Sequence, residues 1–356
     1  MPRDLSCSVG RVTGTYAICH FVVDLACVAT VLGPVLAAFS GGASWGPIAS
    51  AGAALMAYDM VAFALQLPIG AALDRLQSEG PAPALVSFAL VAAGVLLALV
   101  PGGAAAAGAT MLVALGNALF HDAGGICVLG VSGGRCAPSG CFIATGALGV
   151  FLGSKSAGMP AYAVAFVLVG ALVCCAVLVR SLGFVRAGAT PALGNGAVAA
   201  VVLLCVTVAL RSYAGMVMAF PWKASSAGLA LAAVVGVALG KACGGIVADR
   251  IGLVRASVVS LGGAALLFPL SWTSVAAGMA ATVLFNFTMP ITLVSLARLM
   301  QDEPGCAFGA ASFSLAIGAL PALMGLSLAG PWWLCALSAI SLATLACGLR
   351  AAGEGR

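Results

Sequence analysis

Eight ionisable side chains stand inside long apolar runs where water is scarce: Asp24, Asp59, Asp122, Lys155, Arg211, Lys241, and both of the chain's histidines, His20 and His121. An ion in hydrocarbon costs from roughly 2.5 kcal/mol upward, so such a group usually faces a partner or a water-filled cavity. Three acids and three bases leave the set neutral overall. Arg211 keeps its charge and presents a planar fork of donors, suited to a carboxylate or phosphonate. Desolvated carboxyl groups and histidines exchange protons within the physiological range. Asp24 with His20 is therefore the candidate proton site and Arg211 the candidate anion ligand, with His121 and Asp122 as second candidates for either task. Asn117, Tyr58, Asp59, Asn286 and Lys241 complete the candidate substrate-binding set. The alternative for all of them is mutual pairing that merely holds helices together.

Spacing supports a shared location. His20 and Asp24 are four residues apart, one turn along one face of a helix, and Asn117 and His121 repeat that spacing. Counting about 1.5 Å per residue from Gly14 places Asp24 near the middle of a membrane. Lys155 lies near the outer end of its helix, where its ammonium snorkels to the interface.

Composition dictates what holds these groups. The chain has 356 residues, 63% hydrophobic and only 7% charged. A soluble protein carries about 25% charged residues, so this one cannot cover itself with a water-facing surface. Lipid admits only helices and closed barrels. A barrel alternates polar and apolar residues over about ten positions. Here the apolar runs are about twenty residues long, the length of a membrane-crossing helix. Breaks at Gly, Pro and charged clusters give twelve segments: 14–39, 46–73, 83–101, 104–131, 138–158, 160–180, 196–221, 225–248, 254–272, 275–299, 306–328 and 331–350. The first is too long for a signal core and carries His20 and Asp24, so it reads as a retained helix. The thirteen cysteines show no C-x-x-C pair and no metal-ligand spacing. They read as small apolar fillers, and neither a metal nor a cofactor is expected.

Positive charges test the count, because Lys and Arg collect in cytoplasmic loops. With the N-terminus inside, eleven of the fifteen fall on the inner side, Lys223 alone falls outside, and Lys155, Arg211 and Lys241 fall within helices. Both termini are thus expected in the cytoplasm of a cell whose cytoplasmic membrane holds the chain. The net charge of +5 comes from these loops and gives no sign of nucleic acid.

The longest polar break divides the chain into an N-terminal six-helix bundle (1–180), a cytoplasmic linker (181–195) and a C-terminal six-helix bundle (196–356). Each half carries G-x-x-x-D-R: Gly70, Asp74 and Arg75 in the first, Gly245, Asp249 and Arg250 in the second, 175 residues on. Repeated helical halves are a transporter architecture with the binding site between them near the midplane.

On these residues the chain resembles the major facilitator superfamily, whose loop motif reads roughly G-x-x-x-D-R-x-G-R-R after helices 2 and 8. The second copy keeps Gly252 and Arg255, whereas the first has Gln77 where the family has Gly. The resemblance implies that Asp74, Arg75, Asp249 and Arg250 latch neighbouring helices and help time opening; plain helix-end charge is the alternative. Within the superfamily, His20-Phe21-Val22-Val23-Asp24, Ala57-Tyr58-Asp59, Phe120-His121-Asp122-Ala123-Gly124 and Leu210-Arg211-Ser212 resemble the fosmidomycin-resistance group of drug and organic-anion exporters. It implies a central cavity lined by helices 1, 4, 7 and 10, the last bringing Asn286 and Thr288. Small-residue rows at Gly149 and Gly153, and at Gly236, Gly240 and Gly244, are expected to face each other where helices 5 and 8 meet across the halves.

The expectation is an all-α membrane protein of the major facilitator fold. It would be a monomeric secondary transporter moving a small anionic or amphiphilic solute or drug with protons, an antiporter in the direction of efflux. An uncoupled facilitator or solute sensor of the same fold is the alternative. An intramembrane enzyme built on His20 or His121 lacks a nucleophile motif, and no phosphate-binding loop supports drive by ATP.

Overall fold

Apolar sequence in lipid must satisfy its own backbone, and the chain does so with helices throughout. The computed structural model describes residues 5–42, 44–45, 50–77, 81–182, 197–328 and 330–353. The helices are α1 (Val9–Ser40), α2 (Ala51–Arg75), α3 (Ala82–Leu97), α4 (Gly103–Ser132), α5 (Cys136–Lys155), α6 (Ala161–Arg180), α7 (Val198–Val217), α8 (Ala227–Ile251), α9 (Leu253–Leu270), α10 (Val275–Leu299), α11 (Pro304–Leu323) and α12 (Pro331–Ala351). All but α3 are long and apolar enough to cross a membrane. The run expected to reach residue 101 leaves the helix at Leu97, because tighter turn bonds at Leu99 and Val100 lead the chain into Pro101. The α7 segment stops at Val217 rather than 221, and α11 stops at Leu323 rather than 328.

Local sequence bends several helices. In α1, Gly33 and Pro34 open the ladder into a π turn over Val31–Val35, since proline offers no N–H. Wide turns also interrupt α2 at Met60–Ala64, just past Asp59, and α9 at Val258–Gly262. Of the expected linker, Ser181 and Leu182 close α6 in a turn, and residues 183–195 lie outside the described residues.

One face of the molecule gathers the arginines at helix ends. There Arg11 at the start of α1 donates to the Ser181 carbonyl beyond α6 at 3.1 Å, and Arg298 at the end of α10 donates to the Gly134 carbonyl ahead of α5 at 2.7 Å. Lys155 and Lys223 lie toward the opposite face, Lys155 exposed with its ammonium 5.4 Å from the Phe151 ring.

The two bundles meet through α2 against α11 and α5 against α8. Gly70 abuts the backbone of Gly305, and Gly245 abuts that of Cys136 and Ala137, so a Cβ on either would overlap main chain. The small-residue rows sit elsewhere than expected. Gly149 and Gly153 pack on the backbone of α1 at Phe21 and Leu25, while Gly240 and Gly244 pack on α10 at Val283 and Phe287, and Gly236 faces the Val283 side chain. Both rows tighten packing inside a bundle. Among the described glycines, Gly140, beneath the Lys241 carbonyl, and Gly245, against Cys136 and Ala137, serve the α5–α8 contact.

Candidate functional site

The motif acids have equivalent partners. Asp74 accepts hydrogen bonds from the Gly305 and Cys306 amides at 2.9 and 2.7 Å. Asp249 accepts from the Cys136 and Ala137 amides at 2.7 and 2.9 Å. Each carboxylate thus caps the N-terminus of a helix in the other bundle, where orphan amides and the helix dipole favour negative charge. Arg75 and Arg250 are exposed, and no hydrogen bond or ion pair of theirs is seen among the described residues. The two positions also share positive φ: Gln77 has φ 47° and Gly252 has φ 89°, 175 residues apart. Gln77 is the one non-glycine residue with positive φ among those described.

Between the bundles, α1 and α4 bring together the two histidines and Asp24, with 5%, 8% and 9% of their surfaces exposed for His20, His121 and Asp24 respectively. His20 Nδ1 lies 2.8 Å from the Phe142 carbonyl and His121 Nδ1 lies 2.9 Å from the Asn117 carbonyl. A carbonyl only accepts, so each Nδ1 carries the hydrogen and each Nε2 is left as a lone pair. The two Nε2 atoms are 2.9 Å apart. Asp24 Oδ2 is 3.2 Å from His20 Nε2, and Oδ1 is 3.7 Å from His121 Nε2. Asn117 Nδ2 donates to Oδ1 at 3.1 Å, which steadies the carboxylate. Facing lone pairs beside a carboxylate repel, and one shared proton converts the contact into an N–H···N bond next to its counter-ion. The triad is arranged to hold a cation.

These three side chains line a cavity of about 320 Å³ whose other walls come from α2, α5, α7, α8, α10 and α11, including Phe63, Lys241, Thr292 and Phe308. A second cavity of about 320 Å³ shares Val234, Val237, Lys241, Met289 and Leu315 with it and is lined by Arg211, Lys223 and Asn286. Arg211 is 5% exposed, donates once, to the Phe285 carbonyl at 3.1 Å, and lies 5.3 Å from that ring's centre. Its Nε and Nη1 have no partner among the described residues. Leaving such donors unpaired costs about 1–3 kcal/mol each, which an anion in the cavity would recover. Lys241 donates to the Ile143 carbonyl across the bundles at 3.3 Å. Lys223 bonds the Met218 carbonyl at 3.1 Å, and burial pushes its ammonium below the usual lysine range.

Other expected residues stand apart. Asn286 lines the second cavity and bonds the Thr282 carbonyl, while Thr288 is fully buried. Tyr58 packs in the core. Asp59 is half-buried and lines none of these cavities. Asp122 is fully buried with both carboxylate oxygens unpartnered among the described residues. Three contributors escaped the sequence: Gly146, whose absent Cβ leaves room for Asp24 Oδ2 and His20 Nε2; Thr292; and Lys223. The lone lysine on the arginine-poor side was the one available signal for Lys223.

No family model matches the sequence, and no curated protein matches it either. Solved structures do. The major facilitator superfamily transporter FucP in its outward conformation superposes with a TM-score of 0.66 at 12% identity, covering 94% of this chain and 97% of that one. A variant of the E. coli fucose:proton symporter FucP gives 0.64 at 12% identity over 94% and 98%. The human organic anion transporter MFSD10 (TETRAN) gives 0.61 at 16% identity over 97% of each. The chain therefore has the major facilitator fold, an all-helical multi-pass membrane architecture.

Proposed function

We propose that this chain is a secondary transporter that moves a small anionic or amphiphilic solute by alternating access, in exchange for protons. The observation that carries the reading is Arg211. It is a buried guanidinium with two donors unpartnered among the described residues, and it lines a cavity within the C-terminal bundle, next to a cavity between the bundles whose far wall holds a cation-seeking His–Asp–His triad. The anion binds Arg211 with Lys223 and Lys241 nearby, and the apolar walls take its body. The proton resides among His20, His121 and Asp24. The latches at Asp74 and Asp249 hold the arginine-rich face shut until solute and proton binding shift the balance. That face is cytoplasmic by the positive-inside rule. The likeness of helices 1, 2, 4 and 7 to the fosmidomycin-resistance group supports efflux, and the structural neighbours include a proton-coupled transporter and an organic anion transporter.

Proteoliposomes holding a trapped pH-sensitive dye test this. They are challenged with small carboxylates, phosphonates and cationic drugs. One anion class should move protons in the parent chain. Arg211→Ala should weaken its binding at least tenfold, the worth of one charge-assisted hydrogen bond of about 1.5 kcal/mol. Asp24→Asn should bind the anion yet move no protons. Solute flux without any pH change would make the chain a facilitator, and undiminished anion transport by Arg211→Ala would remove the ligand assignment.

A further inference from the structure

We propose that His20, Asp24 and His121 form a binding site for a divalent first-row transition-metal cation, open to the cavity between the bundles. Two imidazoles and one carboxylate are a donor set that such metals favour, and it leaves further coordination positions vacant. One ligand atom from each residue falls within 4.8 Å of the others. A metal about 2.0–2.2 Å from its N and O ligands spaces neighbouring ligand atoms about 2.9–3.4 Å apart. The separations here are 2.9 Å between the Nε2 atoms and 3.2 Å from His20 Nε2 to Asp24 Oδ2. His121 Nε2 and the carboxylate lie farther apart, 3.7 Å to Oδ1, so the His121 ring and Asp24 must draw together to receive the ion.

The second observation is the orientation of the rings. Both Nδ1–H groups are committed to backbone carbonyls, Phe142 and Asn117, so both Nε2 lone pairs point at one spot. Metal-binding histidines are held in this way by their outer nitrogen, which fixes the tautomer and strengthens the ligand. Asn117 occupies Oδ1 of Asp24 and leaves Oδ2 for the ion, and glycine at position 146 keeps the space beside Oδ2 and His20 Nε2 clear. Hard cations such as magnesium prefer all-oxygen shells and are disfavoured by two nitrogens. Binding replaces the proton shared by the histidines: the divalent ion enters, one proton leaves, and the site goes from neutral to a single positive charge. The vacant positions then face the cavity that Lys241 also lines, so an anion is the natural further ligand.

This site uses the side chains of the proposed proton relay, but its test needs no transport. Cobalt(II) is titrated into the purified full chain in detergent, with excess magnesium present. Binding is followed by equilibrium dialysis and by the visible absorption of the metal. One cobalt per chain is expected, without the intense thiolate-to-metal absorption that the cysteines would give. His20→Gln, His121→Gln and Asp24→Asn should each weaken binding at least tenfold. A second measurement uses no variant. The chain has only two histidines, so cobalt should protect both from an imidazole-acylating reagent, and magnesium should protect neither. Absence of saturable cobalt binding, binding that survives all three substitutions, or histidines that acylate equally fast with cobalt present would each overturn the proposal. Proton-coupled transport in a chain that binds no cobalt would leave the transport reading intact while removing this one.

Discussion

Replacing Asp74 by Asn should loosen the closed face of the molecule by a calculable amount. The half-buried carboxylate accepts two amide hydrogen bonds at the start of α11. A hydrogen bond to a charged group contributes about 1.5–3 kcal/mol, and partial exposure argues for the lower end, about 3 kcal/mol for the pair. Asparagine retains one acceptor oxygen and a neutral bond contributing about 1 kcal/mol. The loss is thus about 2 kcal/mol, roughly a thirtyfold shift toward the open face. Hydrogen exchange followed by mass spectrometry reads this directly, because the Gly305 and Cys306 amides are protected only while the latch is closed. Their exchange should speed up about thirtyfold. If the bundles rock as rigid bodies, the Cys136 and Ala137 amides at the Asp249 latch should speed up in the same variant. Faster exchange at Gly305 and Cys306 with no change at Cys136 and Ala137 would refute the coupled opening of the two latches.

Three further outcomes follow from the geometry. Gly146→Ala places a methyl group against Asp24 and His20, so it should abolish proton movement while anion affinity at Arg211 stays within about threefold, measured by scintillation proximity binding. The positive-φ backbone at Gln77 and Gly252 costs a residue with a Cβ about 1–3 kcal/mol. Gly252→Gln should therefore lower the thermal midpoint of the detergent-solubilised chain, and Gln77→Gly should raise it slightly, glycine's chain entropy offsetting part of the gain. Burial lowers the Lys223 ammonium, so anion affinity should fall, as pH rises, below the ordinary lysine value of about 10.4, and Lys223→Arg should move that fall to higher pH.

Much of this architecture was legible because lipid imposes simple rules. Run length and arginine placement set the helix count, and the 175-residue echo of Asp74 in Asp249 marked the bundles. The same rules exposed Asp24, His20, His121 and Arg211, since ions in apolar runs need a reason. What stayed hidden depends on distance across the fold. His20 and His121 are 101 residues apart, so no spacing in the sequence betrays them as a single ligand set, and Asn117 looked like a substrate contact rather than the support of Asp24. Glycine rows marked close packing correctly, but which helix lies against each row is set by the tertiary arrangement. Gly149 therefore met α1, and Gly140 took the role expected of it at α8. Asp59 and Asp122 carried the same signal as Asp24 and stand away from the triad, because one residue along a helix turns a side chain by about 100°.

The two latches share a property with genetic consequences. Each pairs a carboxylate with main-chain amides rather than with another side chain. No charge reversal on the facing helix can restore a lost Asp74 or Asp249, since the partners are main-chain amides that every residue but proline carries at positions 136, 137 and 306, and position 305 must stay glycine because a Cβ there would overlap Gly70 and position 74. Revertants of a latch mutant must therefore arise elsewhere, at sites that destabilise the opposite conformation. A suppressor screen would thereby map the contacts that form only when the arginine-rich face is open.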